Sequence, residues 1–206
     1  MHRCIVICAG EYGQIDFFPS QDDFIICCDA GYLAAERLGI TPDLLVGDFD
    51  SYSGALPEKI EVLRFPVEKD DTDSILALRE GLKRGYMDFV LLFALGGRLD
   101  HTYANLQALA FLEEYGASGT IIGPHDTVRL LKNGTVDIAR REGYTISIFA
   151  YSGDAVGVSL RGMKYPLKNA TVTEKFPIGL GNYITAPVGG ISVLSGTLLV
   201  IESKIN

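Results

Sequence analysis

No apolar run in this 206-residue sequence is long enough to cross a bilayer. The longest, Phe89 to Leu95, falls well short of the roughly 20 residues a spanning helix needs. The first residues lack the basic flank, apolar core and small-residue cleavage pattern of a secretory leader, so the expected compartment is the cytoplasm. Positive charge is also scarce. Eighteen Lys and Arg against 26 Asp and Glu leave a net charge of −8, with no basic stripe to hold DNA or another polyanion. So acidic a chain suits a nucleotide only if a cation stands between its carboxylates and the phosphates, which makes a metal the first thing to seek. Cysteine is confined to Cys4, Cys8, Cys27 and Cys28, inside "CIVIC" and "FIICC". Paired spacings with distant His or Cys partners are missing, so a zinc site is excluded and buried reduced thiols are expected. Two phosphate signatures are absent as well: G-x-x-x-x-G-K-[ST], and G-x-G-x-x-G after the first strand. "CAGEYG", Cys8 to Gly13, offers only a glycine-containing turn whose backbone amides could touch a phosphate.

What is present reads as globular, with 48% hydrophobic and 21% charged residues. The length allows a real core in one large or two small domains. Up to about Ile122, short apolar runs (Cys4–Cys8, Phe24–Cys28, Leu44–Val46, Ile60–Phe65, Phe89–Ala94, Thr120–Ile122) alternate with helix-like segments at Tyr32–Leu38, Thr72–Arg84 and Asp100–Tyr115. Runs of this kind suit strands buried on both faces, and the alternation predicts an open, mostly parallel Rossmann-like α/β sheet. After "GPHD" the pattern changes. Val128–Leu131, Thr135–Ala139, Thr145–Ala150, Ala155–Leu160, Ala170–Thr173, Ile191–Leu194 and Thr197–Ile201 follow one another between Gly, Asn and Pro, without a helical period. A compact antiparallel β domain is expected there, with the boundary near residues 123–127.

Ligands of an open α/β sheet gather beyond the carboxyl ends of its strands, and four polar clusters fall at such ends. Asp29 follows "FIICC"; Asp48 and Asp50 follow "LLV"; "EKDDTD", Glu68 to Asp73, follows "VLRFPV"; "GGRLDH", Gly96 to His101, follows "VLLFAL". Asp48 and Asp50 can share a cation only if the backbone turns, which Gly47 and the following "SYSG" permit. Asp73 falls in the first helical turn, near Thr72 or Asp71 as a cap, where the helix dipole favours a carboxylate. Three carboxylates with open positions for water and phosphate suit magnesium. In "GGRLDH" the glycines allow close backbone approach, the helix start offers free N–H groups, and Arg98 offers a planar fork for phosphate. Asp100 could orient Arg98, cap the helix or accept from a ligand. His101 is open to a role as base or to a structural hydrogen bond.

With these residues in view, the chain resembles the thiamine pyrophosphokinase family. The matching stretches are "CDAG" (Cys28–Gly31), "GDFDS" (Gly47–Ser51), "KDDTDS" (Lys69–Ser74), "GGRLDH" and "GMKYPL" (Gly162–Leu167), in family order through most of the chain. The resemblance implies an α/β ATP-binding catalytic domain over residues 1–124 and a thiamine-binding β-sandwich over residues 125–206. It implies a homodimer with thiamine at the subunit interface, and transfer of pyrophosphate from ATP to thiamine's alcohol with release of AMP. It assigns magnesium to Asp48, Asp50 and Asp73, and the nucleotide side to Asp29, Asp48, Arg98, Asp100 and His101. Thiamine falls to Lys69, Thr72, Asp73, Gly181 and Asn182. Some positions depart from the family pattern. Ala30 stands for a glycine and Gly181 for a serine; Tyr165 stands where animal members carry Trp, and His101 where they carry Gln. Two rival readings accompany this one. A haloacid-dehalogenase-like phosphatase would use Asp48 as nucleophile and Asp50 as acid/base, but a later lysine motif with a paired-acid strand end is missing. A non-catalytic nucleotide or thiamine sensor is kept open by Gly181.

Overall fold

Burial explains why the first apolar runs become strands. In the computed structural model, which describes residues 2–49, 57, 59–65 and 71–205, they are β1 (Cys4–Ile7), β2 (Phe24–Cys28), β3 (Leu44–Gly47), β4 (Glu61–Arg64), β5 (Asp88–Leu92) and β6 (Ser118–Ile122). β1 and β3 are buried at every residue, and β2 and β5 beyond their first. The strands pair in parallel in the order β4-β3-β2-β1-β5-β6. β4 departs from the expected burial on both faces. It lies beside β3 at the end of this order, and its residues are half-buried or exposed. The crossovers carry α1 (Gly31–Leu38), α2 (Asp73–Lys83) and α3 (Leu99–Glu114). Ala77 and Leu78 of α2 are buried, and Gly81 lies so close to Phe89 that a Cβ would come within 2.5 Å of its ring. None of the helices in the described residues is long and apolar enough to cross a membrane.

An ion pair fixes the start of this sheet. Arg3 donates from Nε and Nη2 to the Asp23 carboxylate at 3.0 and 2.6 Å, and the Ser20 amide donates to Asp23 at 2.8 Å. The Asp23 side chain is only 1% exposed. Burial pushes its carboxyl upward, but the Arg3 and Ser20 hydrogen bonds and the Arg3 charge outweigh that and hold it below the ordinary range. A depressed carboxyl adds stability above its unfolded value, and that stability is lost as pH falls through the folded value. Arg3→Leu leaves burial dominant, so the variant is expected to be less stable by about 3 kcal/mol at neutral pH. The gap should close as pH falls below about 4. Urea melts from pH 3 to 7 measure this; a gap independent of pH would rule it out.

The chain divides into two compact units, Met1–Pro124 and His125–Asn206. The second holds β7 (Asp126–Lys132), β8 (Thr135–Ala139), β9 (Tyr144–Arg161), β10 (Leu167–Val172), β11 (Gly179–Asn182), β12 (Val188–Ser192) and β13 (Ser195–Lys204). Its strand pairings are antiparallel. The two runs expected at Thr145–Ala150 and Ala155–Leu160 are one strand. β9 continues through a bend where Ser152 and Gly153 take φ of 58° and 122°. Its first half pairs with β13 and β11, its second with β10 and β12. Ile146, Ile148, Val158, Leu160, Ile191 and Leu198 share one buried cluster. β11, "GLGN", has no apolar pattern and escapes the sequence reading. Gly179 presses against β9, where a Cβ would lie 2.3 Å from the Ile148 carbonyl oxygen.

Candidate active site

The carboxyl ends of β2 and β3 come together through a glycine. The Asp29 amide donates to the Val46 carbonyl at 2.9 Å. A Cβ on Gly47 would come within 3.1 Å of the Asp29 Cβ, so a larger residue would force the strand ends apart. The turn expected of "GDFDSYSG" lies largely outside the described residues, but its start leaves the extended conformation. Phe49 adopts φ 59° and buries its ring in the core, with the Arg64 guanidinium 5.5 Å above it. Asp48 beside it is half-buried. Asp50 and Lys69 lie outside the described residues.

Asp73 opens α2 against the same edge. Thr72 is the cap, its Oγ1 accepting from the Ile75 amide at 3.3 Å. The Cys28 thiol donates to the Asp73 carbonyl at 3.5 Å, which sets the start of α2 on the end of β2, next to Asp29. That thiol is held far above its ordinary value by its hydrogen bond with Cys8, by burial and by nearby negative charge that includes Asp73. Burial likewise pushes Cys4 up to about 12, and all four cysteines are free and buried. Asp29 and Asp48 therefore follow adjoining strand ends, and the helix start that carries Asp73 is seated against the first of them. Carboxylate oxygens are hard donors of the kind magnesium takes. Among the described residues, no three His, Cys, Asp or Glu side chains converge closely enough to hold a metal, and Asp50, the middle of the expected set, lies outside them.

The "GGRLDH" turn uses left-handed backbone at Gly96 and Gly97, φ 79° and 67°. The "CAGEYG" turn packs beside it, with three of its amides already engaged. Cys8, Gly10 and Glu11 donate to the carbonyls of Leu92, Phe93 and Leu95 at 2.8–2.9 Å, so these amides serve the fold. Arg98 closes its fork on Asp100, Nε to Oδ1 at 3.1 Å and Nη2 to Oδ2 at 2.5 Å; Asp100 also accepts from the His101 amide at 2.9 Å. Asp100 thus orients Arg98 and takes up one free amide in the first turn of α3, whose N-cap Arg98 makes no side-chain cap bond. The pairing raises the Arg98 guanidinium and lowers the Asp100 carboxyl from their ordinary values. Both side chains are mostly exposed, so the pair is weak and Arg98 can exchange it for a phosphate at little cost. His101 is exposed.

In the second unit Asn182 is 5% exposed and its amide is turned inward. Oδ1 accepts from the Tyr165 and Tyr183 amides at 3.0 and 2.8 Å, and Nδ2 donates to the Tyr165 carbonyl at 2.7 Å. It clamps the "GMKYPL" segment. Gly181, φ 71°, donates its amide to Ser147 Oγ at 3.0 Å, and a Cβ there would meet no atom within 4 Å. The Lys164 ammonium lies 5.3 Å from the Tyr165 ring centre and 5.5 Å from that of Tyr183.

A curated Bacillus subtilis (strain 168) protein named thiamine pyrophosphokinase is 30% identical over 193 residues, 90% of each chain. The chain belongs to the thiamine pyrophosphokinase family. Residues 18–117 match the family described as "Thiamin pyrophosphokinase, catalytic domain", and residues 134–198 match "Thiamin pyrophosphokinase, vitamin B1 binding domain". A crystal structure of thiamine pyrophosphokinase from Bacillus subtilis superposes with a TM-score of 0.88 at 25% identity, covering 100% of both chains. One of thiamin pyrophosphokinase from Geobacillus thermodenitrificans gives 0.83 at 26% identity, covering 99% and 98%. The stretch matching the catalytic domain of thiamine pyrophosphokinases holds Asp29, Asp48, Thr72, Asp73, Arg98, Asp100 and His101; the other holds Gly181 and Asn182. The sequence reading overlooked Ser74 and Asn105. Ser74 Oγ donates to Asn105 Oδ1 at 2.9 Å and Asn105 Nδ2 to the Ala94 carbonyl at 2.8 Å. The signal was an amide among apolar neighbours on α3.

Proposed function

We propose that the chain joins thiamine's primary alcohol to the β-phosphorus of ATP, forming thiamine diphosphate and releasing AMP by cleavage of the α–β phosphoanhydride. The observation that carries this reading is the placement of Asp29 and Asp48 just beyond the adjoining ends of β2 and β3, with the α2 start that bears Asp73 seated on β2, on a chain of this family. In this reading residues 1–124 bind ATP and catalyse, and residues 125–206 form a β-sandwich that binds thiamine. Asp48, Asp50 and Asp73 would hold a magnesium ion, which when bound neutralises phosphate charge and favours in-line geometry. Asp29, with Arg98, Asp100 and His101, would border the nucleotide, Arg98 turning from Asp100 to a phosphate. Lys69, Thr72 and Asp73 would face thiamine, with Gly181 and Asn182 contributed from a second subunit. Exposed apolar side chains near Gly181 support that dimer: Phe176, Ile178 and Leu180 are 65%, 52% and 66% exposed. Such a concentration of exposed apolar surface suits burial against a second copy. Four free buried thiols support the cytoplasm as the place of work.

An assay with ATP, thiamine and magnesium tests the reaction. AMP and thiamine diphosphate should appear in equal amounts. Phosphate without AMP would instead support the phosphatase reading. Calorimetric binding of both substrates with no AMP formed would support the sensor.

A further inference from the structure

The orientation of Asn105 can be assigned from the Ala94 carbonyl. A carbonyl only accepts, so the Asn105 atom facing it at 2.8 Å is the NH2 group, and Oδ1 faces Ser74. Ser74 has one hydroxyl proton, and it goes to Oδ1. The 3.0 Å contact between Ser74 Oγ and Thr72 Oγ1 must then be donated by Thr72. Thr72 Oγ1 already accepts from the Ile75 amide. The result is a directional chain, Thr72 to Ser74 to Asn105 to Ala94, in which each bond polarises the next. It runs from the start of α2, across α3, to the backbone just beyond β5.

We propose that Asn105 is a positioning residue. It ties the α2 start, which carries Thr72 and Asp73, to the root of the "GGRLDH" turn. It also fixes the Thr72 hydroxyl as an acceptor toward any ligand, because its proton is already given to Ser74. The substrate group that meets Thr72 must therefore be a donor, an N–H or O–H. This inference rests on the pyrophosphoryl-transfer reading, and it concerns alignment between the two ends of the site rather than contact with a reacting atom. Asp71 reinforces the same start, held by Arg79 Nε at 3.0 Å while the Arg79 guanidinium lies 5.0 Å from the Phe111 ring centre of α3.

Ser74→Ala, Asn105→Ala and their double variant test the chain, with kcat and both KM values measured beside thermal melts. Each single change should lower kcat about tenfold, as expected for one lost alignment bond, with KM for ATP within about twofold. The double variant should lose no more than the worse single, because both cut one chain. Ser74→Thr keeps the hydroxyl and should return kcat to within about twofold of the wild type. Singles whose losses multiply in the double variant, or a lowered melting temperature with unchanged kcat, would overturn the proposal. If the wild type makes no AMP at all, the pyrophosphoryl-transfer reading has failed instead. The chain is then read by the same double-variant comparison in thermal unfolding: coupled losses keep it and additive losses overturn it.

Discussion

Asp73→Asn is expected to lower turnover by roughly a thousandfold or more, while the protein melts within a few degrees of the wild type. Stability is largely kept because the two contacts that set the start of α2 use other atoms. The contact that seats α2 on β2 uses the Asp73 backbone carbonyl, and the cap is the Thr72 hydroxyl. Asn keeps both and matches Asp in volume. The fold gives up a negative charge in the first turn of α2, where the helix dipole contact alone is worth about 0.3–1 kcal/mol. Catalysis loses much more. In the proposed reading a neutral amide would hold a divalent cation poorly beside triphosphate, and would not draw the thiamine alcohol into place as a carboxylate would. The control is Asp137→Asn, where an exposed carboxylate 3.8 Å from Arg161 lies in β8, far along the chain from this edge. Its turnover should match the wild type. Steady-state AMP formation and circular-dichroism melts decide the matter, and an Asp73→Asn enzyme of near-normal turnover would remove Asp73 from the chemistry.

Much of this site is legible in the sequence because strand ends announce themselves. Buried parallel strands are apolar throughout, so the first polar residue after each run marks the sheet edge, and Asp29, Asp48 and Arg98 are found that way. Thr72 as cap follows from the same local logic. The sequence is silent where geometry depends on a partner distant along the chain. That Asp100 holds Arg98, that the Gly10 and Glu11 amides serve Phe93 and Leu95, and that Asn105 reaches Ala94 are facts of packing. β11 is hidden for a different reason. Its glycines are chosen for closeness to β9, not for burial of side chains, so it carries no alternating pattern.

Asn182→Ala should lower the melting temperature by roughly 5–15 °C, and thiamine affinity with it, leaving ATP affinity unchanged. Asn182 is expected beside thiamine by family resemblance, yet its amide faces the protein. Truncation removes the acceptor for two part-buried amides and the donor for the Tyr165 carbonyl. Stranding such groups costs about 1–3 kcal/mol apiece where water cannot reach them. The Tyr165 segment would then lose its register, and with it the aromatic pair that Lys164 now straddles. Asn182→Asp separates the two sides of the amide. Both acceptor bonds survive, but the Tyr165 carbonyl faces an oxygen at the former Nδ2 position. That repulsion and burial raise the introduced carboxyl above its unfolded value. Its penalty is therefore full at neutral pH and falls as the pH is lowered, when a protonated carboxyl can donate to that carbonyl. Melts of both variants at pH 7 and pH 5 should show Asn182→Asp gaining stability relative to Asn182→Ala on acidification. If Asn182→Ala instead melts like the wild type and loses only thiamine affinity, Asn182 acts by touching the vitamin and not by holding Tyr165.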